Sequence, residues 1–119
     1  MDLSLRINLL KEGAQIDGAT AQNLFRVIDC LKRDFEIELS EENGGMLITH
    51  LAVALERIKK NALVEPVDAI IFEEIQSNAY FEKANSLLDA MEKEIHVTIP
   101  ESEKSFILMH LVTLLNLSI

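Results

Sequence analysis

The sequence predicts an all-α fold, and three observations carry that prediction. Apolar residues recur at the three- and four-residue steps of a helical face along most of the chain. Residues able to cap a helix stand where those stretches begin, and no Pro-, Gly- or Ser-rich linker divides them. Two of the long apolar stretches also repeat one another, which makes the fold a matter of paired helices.

The N-terminal segment is the least determinate. Leu3, Leu5, Ile7 and Leu9 alternate as in a strand, whereas Leu3, Ile7 and Leu10 would serve a helical face equally well. Residues 1–18 are therefore expected to be an arm, extended in the first reading, ahead of one helical domain over 19–119. After turn chemistry at Asp17 and Gly18, the face Leu24, Val27, Ile28, Leu31 and Phe35 predicts a helix over about 19–36. The next covers about 40–61. It opens on Ser40 with Glu41 and Glu42, carries Met46, Leu47, Leu51, Ala54, Leu55 and Ile58, and ends on Lys59 and Lys60, so its charges complement the helix dipole at both ends.

Pro66 is expected to start a short helix through about Ile75. Phe81, Ala84, Leu87, Leu88, Met91 and Ile95 predict another at about 79–95. A last helix begins between Thr98 and Pro100, with Thr98 and Glu101 spaced for a capping box and Pro100 in the first turn, where its missing donor costs little. The expected architecture is five helices: two antiparallel hairpins and a short linking helix.

A chain of 119 residues suits one domain that buries about two thirds of the surface its unfolded form exposes. The single cysteine, Cys30, allows no internal disulfide, and no CxxC or Cys/His cluster suggests zinc. No basic leader precedes a long apolar run, so a soluble cytoplasmic protein without a membrane span is expected. The formal charge of −9, spread along the chain, would repel a polyanion and argues against direct nucleic-acid binding. Solubility is the plainer use of such charge.

Comparing the chain with itself at an offset of 60 residues pairs Leu39 with Ile99, Leu47 with Ile107, Leu51 with Leu111 and Leu55 with Leu115. It also pairs His50 with His110. Val27 with Leu87 and Leu31 with Met91 extend the correspondence to the preceding helices. Apolar matches alone would arise between any two amphipathic helices, but only three histidines exist to be matched.

The segment FILMHLVTLL makes the second of these histidines conspicuous, since His110 stands among apolar neighbours at every helical spacing. Arg57 follows His50 by two helical turns on about the same side, while Leu117 stands at the corresponding place after His110 and Glu103 lies two turns before it. Singly, such a histidine is more often a neutral, hydrogen-bonded core residue than a functional one. Metal binding lacks further ligands and any HExxH or ExxH spacing on these helices. Hydrolysis lacks a nucleophile elbow, and Cys30 has no histidine beside it, so neither catalysis nor a cofactor is expected. A phosphoacceptor remains: imidazole nitrogen accepts a phosphoryl group, and a nearby guanidinium stabilises the dianion.

The segments LITHLAVALERIKKN and IPESEKSFILMHL, joined through NALVEP and YFEKA, resemble the phosphotransferase-system regulation domain, or PRD, over about residues 19–117. The resemblance implies two helical hairpins that each contribute a histidine, in modules controlling transcription antiterminators and activators. It implies His50 and His110 as phosphoacceptors, Arg57 as the phosphate-stabilising group, and HPr or a sugar-specific phosphotransferase component as donor. Family members carry paired modules behind an RNA- or DNA-binding domain, for which this chain has no room, so a stand-alone regulatory module acting through protein contacts is expected. The alternative is an oligomerisation or scaffold domain without phosphorylation, which Leu117 favours at the second site. His96 matches no family histidine and reads as a loop residue. Finally, apolar residues from Phe106 to Ile119 surround the axis of the last helix, so a homodimer covering its leftover side, with Leu114 and Leu117 exposed there, is expected.

Overall fold

The computed structural model describes residues 2–62 and 64–117, and among them the chain forms six helices and no strand: α1 (Leu3–Glu12), α2 (Gly18–Phe35), α3 (Glu41–Lys59), α4 (Ala69–Gln76), α5 (Phe81–Ile95) and α6 (Glu101–Leu117). The all-α class holds, with one helix more than the sequence led us to expect.

The extra helix is α1, where an extended arm was the first reading. Asp2 caps it by accepting the Leu5 amide at 2.8 Å, and the buried residues are Leu3 and Ile7, one turn apart, while Leu5 and Leu9 face outward. The alternation of leucines is incidental. A helix burying two residues has little claim to stability alone, and packing against α2 and α3 supplies what its length lacks.

The remaining helices begin and end for local reasons. Ser40 and Asn43 form a reciprocal capping box at the start of α3, with Glu41 and Glu42 in its positive first turn. Two starts differ from expectation. Asp68, not Pro66, caps α4, accepting the Ile70 amide at 2.9 Å. α6 begins at Glu101, past Pro100, and the turn before it is held by the Glu92 carboxylate, which accepts the Ile99 amide at 2.8 Å, in place of a Thr98–Glu101 capping box.

The internal repeat is a structural one. α2 and α3 form one hairpin, α5 and α6 the other, and α2 packs on α5 as α3 packs on α6, so each helix lies against its own counterpart. That arrangement is an approximate two-fold axis within one chain. Its matched residues fill the core: Val27, Leu31, Leu87 and Met91 in one layer and Leu51 and Leu111 in the other are fully buried. The equivalence extends to the helix ends, where Glu36 after α2 and His96 after α5 both adopt the left-handed conformation, at φ 57° and 55°. His96 is exposed there and has a backbone role.

The last helix needs less outside cover than its composition suggests. α3, α4 and α5 all pack on it, burying Ile107, Leu108, Leu111, Val112, Leu114 and Leu115. Leu114, expected at the surface, is only 1% exposed, whereas Leu117 is 63% exposed. Ile119 lies outside the described residues.

Candidate functional site

α3 and α6 run antiparallel along their shared seam, because Arg57 near the end of α3 meets Glu103 near the start of α6. The internal two-fold crosses that seam at its middle, where His50 and His110 stand. Their rings stack, with centroids 4.3 Å apart and planes inclined by 23°. Equivalent residues near a two-fold axis must approach each other, so the repeat that pairs these histidines in sequence also brings them into contact.

The two rings differ in surroundings. His50 is exposed and His110 half-buried. Burial, and secondarily the neighbouring His50, pushes the His110 imidazole below its ordinary pKa, which keeps it neutral with a lone pair available at neutral pH. This answers why an imidazole stands in the apolar run of α6: its ring covers the seam and lies against the counterpart on α3.

On one side of the pair lies a cavity of about 210 Å³ lined by His50, Ala54, Arg57, Glu103, Phe106 and Ile107. Arg57 donates through Nε and Nη2 to the two carboxylate oxygens of Glu103, both at 2.9 Å. This bidentate pair raises the Arg57 pKa, chiefly through the hydrogen bonds. Glu103 is 3% exposed and Arg57 about one third exposed, so the carboxylate is the buried member and depends on the guanidinium for compensation. Sequence spacing had placed Glu103 on the His110 stripe; it faces across the seam into the His50 cavity.

On the other side a cavity of about 170 Å³ is lined by His110, Thr113 and Leu117 from α6, Glu41 and Gly45 from α3, and Arg6 from α1. Arg6 was not among the candidates. Its guanidinium donates through Nε to both Glu41 oxygens at 3.0 Å and through Nη1 to Thr49 Oγ1 at 3.0 Å, with Nη2 also closing on Glu41.

Among the described residues no three His, Cys, Asp or Glu side chains gather to hold a metal ion. Cys30 is buried, and burial, before the nearby Asp34 and Glu94 charges, pushes its thiol pKa up. No helix among the described residues is long and apolar enough to cross a membrane.

The family model described as PRD domain matches residues 25–114. The chain is 26% identical over 109 residues to the uncharacterized protein YhfY of Escherichia coli strain K12, covering 92% of this chain and 91% of that protein. It is 24% identical over 114 residues to an uncharacterized protein of Haemophilus influenzae, covering 96% of this chain and 91% of the relative. No solved structure matches. His50, His110 and Arg57 fall within the matched span, and Arg6 lies before it.

Proposed function

The chain belongs to the PRD domain family, and on that premise we propose that it is a phosphotransferase-system regulatory module, phosphorylated on His50 or His110, that modulates transcription or antitermination through protein–protein contacts. The observation that carries the reading is the stacked histidine pair, which lies open to solvent on the His50 side beside a guanidinium held by a buried carboxylate.

Transfer from a phosphohistidine of HPr or a sugar-specific phosphotransferase component would proceed at the exposed ring. The unprotonated imidazole nitrogen attacks phosphorus; the new N–P bond forms as the donor's N–P bond breaks, the bonding pair returns to the donor nitrogen, and the acceptor ring's N–H proton is released to solvent or the donor. The product is a dianion with three strong acceptor oxygens.

Arg57 lines the His50 cavity, and its attachment to Glu103 makes the modification a competition. As the phosphoryl group draws the guanidinium, Glu103 loses its compensation while almost wholly buried, and the first turn of α6 must shift to hydrate it. That turn is tied to the segment before α4, since the Val67 amide donates to Ser105 Oγ at 3.0 Å. A change at the histidines thus reaches α4, where Ile70 is 71% exposed and available to a partner.

Incubation with phosphoenolpyruvate and the general phosphotransferase proteins, followed by intact mass, tests the reading. One added phosphoryl group on the wild type is expected, absent from a His50→Ala/His110→Ala double variant. Arg57→Ala is expected to lower occupancy or lifetime of the His50 phosphate, and unchanged phosphorylation would remove Arg57 from the mechanism. Its stability cost should be about 3 kcal/mol, because it strands Glu103; the conservative Arg57→Lys retains the charge and should retain part of both effects. The scaffold reading has one observation in its favour, the exposed apolar side chains Met46, Val53 and Leu117 along the seam. A wild type that stays unmodified and oligomeric would establish it instead.

A further inference from the structure

The approximate two-fold predicts what should stand beside His110, and the chain departs from it in an informative way. Arg57 and Glu103 in the His50 cavity have as counterparts, at the offset of the repeat, Leu117 and Asn43. Neither is charged. The His110 cavity nevertheless contains a guanidinium, that of Arg6, which enters from α1, the helix outside the repeat. It is held there by a carboxylate, Glu41, as Arg57 is by Glu103.

We propose that Arg6 is the phosphate-binding cation of a second site centred on His110, so that each histidine of the stacked pair has its own arginine, one supplied by the repeat and the other by α1. This rests on the phosphoacceptor reading above. The ligand is the phosphoryl dianion carried on the His110 ring, and the charged groups facing it are Arg6, Glu41 and, at the rim, Glu42, with the His50 ring stacked alongside.

Two further observations fit a site built to take that group. Gly45 lies against the clamp: a Cβ there would press on the Glu41 carboxylate at 3.3 Å from Oε1 and would meet Arg6 Nε at an ordinary contact distance of 3.5 Å, so the ion pair sits directly on the α3 backbone at this glycine. Glu41 differs from Glu103 in being 23% exposed against 3%, and it sits in the first turn of a helix, where it can swing into water when a phosphoryl group displaces it from Arg6. The His110 site therefore releases its carboxylate at less cost than the His50 site.

The test uses phosphoramidate, a small donor that needs no partner protein. The ring nitrogen attacks its phosphorus, the P–N bond breaks, and ammonia leaves with the proton. In a His50→Ala chain, where His110 is the acceptor, Arg6→Gln is expected to shorten the phosphohistidine lifetime by about tenfold, the loss of one charge-assisted hydrogen bond, and Arg57→Gln to shorten it by clearly less. In a His110→Ala chain the two arginines exchange roles. Glu41→Gln separates binding from mere support of α1: it frees the guanidinium and is expected to lengthen the His110 phosphate lifetime, while a structural role would make it behave as Arg6→Gln does. Equal lifetimes with and without Arg6, equal losses at both histidines, or modification of His50 with none of His110 would each overturn the second site alone. A wild type that accepts phosphate at neither histidine, from phosphoramidate or from the phosphotransferase proteins, would overturn the underlying reading as well.

Discussion

His50 and His110 occupy one place on the surface, because stacked rings with centroids 4.3 Å apart leave no room for two independent modifications. Two dianions about 6 Å apart repel by about 3 kcal/mol even in water's dielectric, which makes the second phosphorylation about a hundredfold less favourable than the first. The pair should therefore act as a single acceptor. Intact-mass titration with excess donor is expected to stop at one phosphoryl group per wild-type chain, while His50→Ala and His110→Ala each still accept one. A predominant doubly modified species would show that the rings separate and that the stack is not retained on modification. The histidine pair was legible in the sequence because a repeat marks it. The ion pairs around it were not, since Arg57 with Glu103 and Arg6 with Glu41 join helices far apart in the chain and leave no periodic trace.

Helix positions were legible where a broad apolar face met a cap, as in α2 and α3, because burial of that face and satisfaction of the terminal amides select the same conformation, while α5, which has no side-chain cap at its start, was legible from its apolar face alone. α1 was ambiguous for the opposite reason. It buries only Leu3 and Ile7, too few to distinguish a period of two from one of about three and a half. The helix ends hold a feature that no local pattern announced, the left-handed Glu36 and His96, which occupy equivalent C-caps without the glycine usually found there. A side chain in that conformation costs roughly 1–2 kcal/mol, partly offset by the greater freedom glycine has when unfolded. Glu36→Gly and His96→Gly should each stabilise the fold by about 0.5–1 kcal/mol, read from the denaturant midpoint at unchanged slope. Destabilisation by His96→Gly would mean that its exposed ring, and not its backbone, serves the protein.

At the scale of the whole molecule, the seam that carries the histidines also carries the exposed apolar groups. Met46, His50 and Val53 follow one another on the outward face of α3, and Leu117 shares the His110 cavity with Met46, so three apolar side chains at 63%, 43% and 63% exposure frame the acceptor pair. With Leu114 buried, the apolar surface left for a second copy is a strip that includes Met46, Val53 and Leu117 and not the whole flank of α6, whereas a stable interface takes roughly 800 Å² per partner. The expected behaviour is a weak monomer–dimer equilibrium. Light scattering at micromolar to submillimolar concentration should show association that Leu117→Lys and Met46→Lys abolish, with the helical content of both variants intact. Phosphorylation should oppose the same association, because it would add dianions at the centre of a contact between chains that each already carry a formal −9. Salt separates this from a change of shape: if charge is responsible, the modified protein re-associates as the Debye length shrinks from about 10 Å at 0.1 M towards 3 Å at 1 M. A monomer at all concentrations would remove the strip as the route by which the histidines are read and leave α4, with Ile70 and Ile71 outward, as the surface that carries the signal.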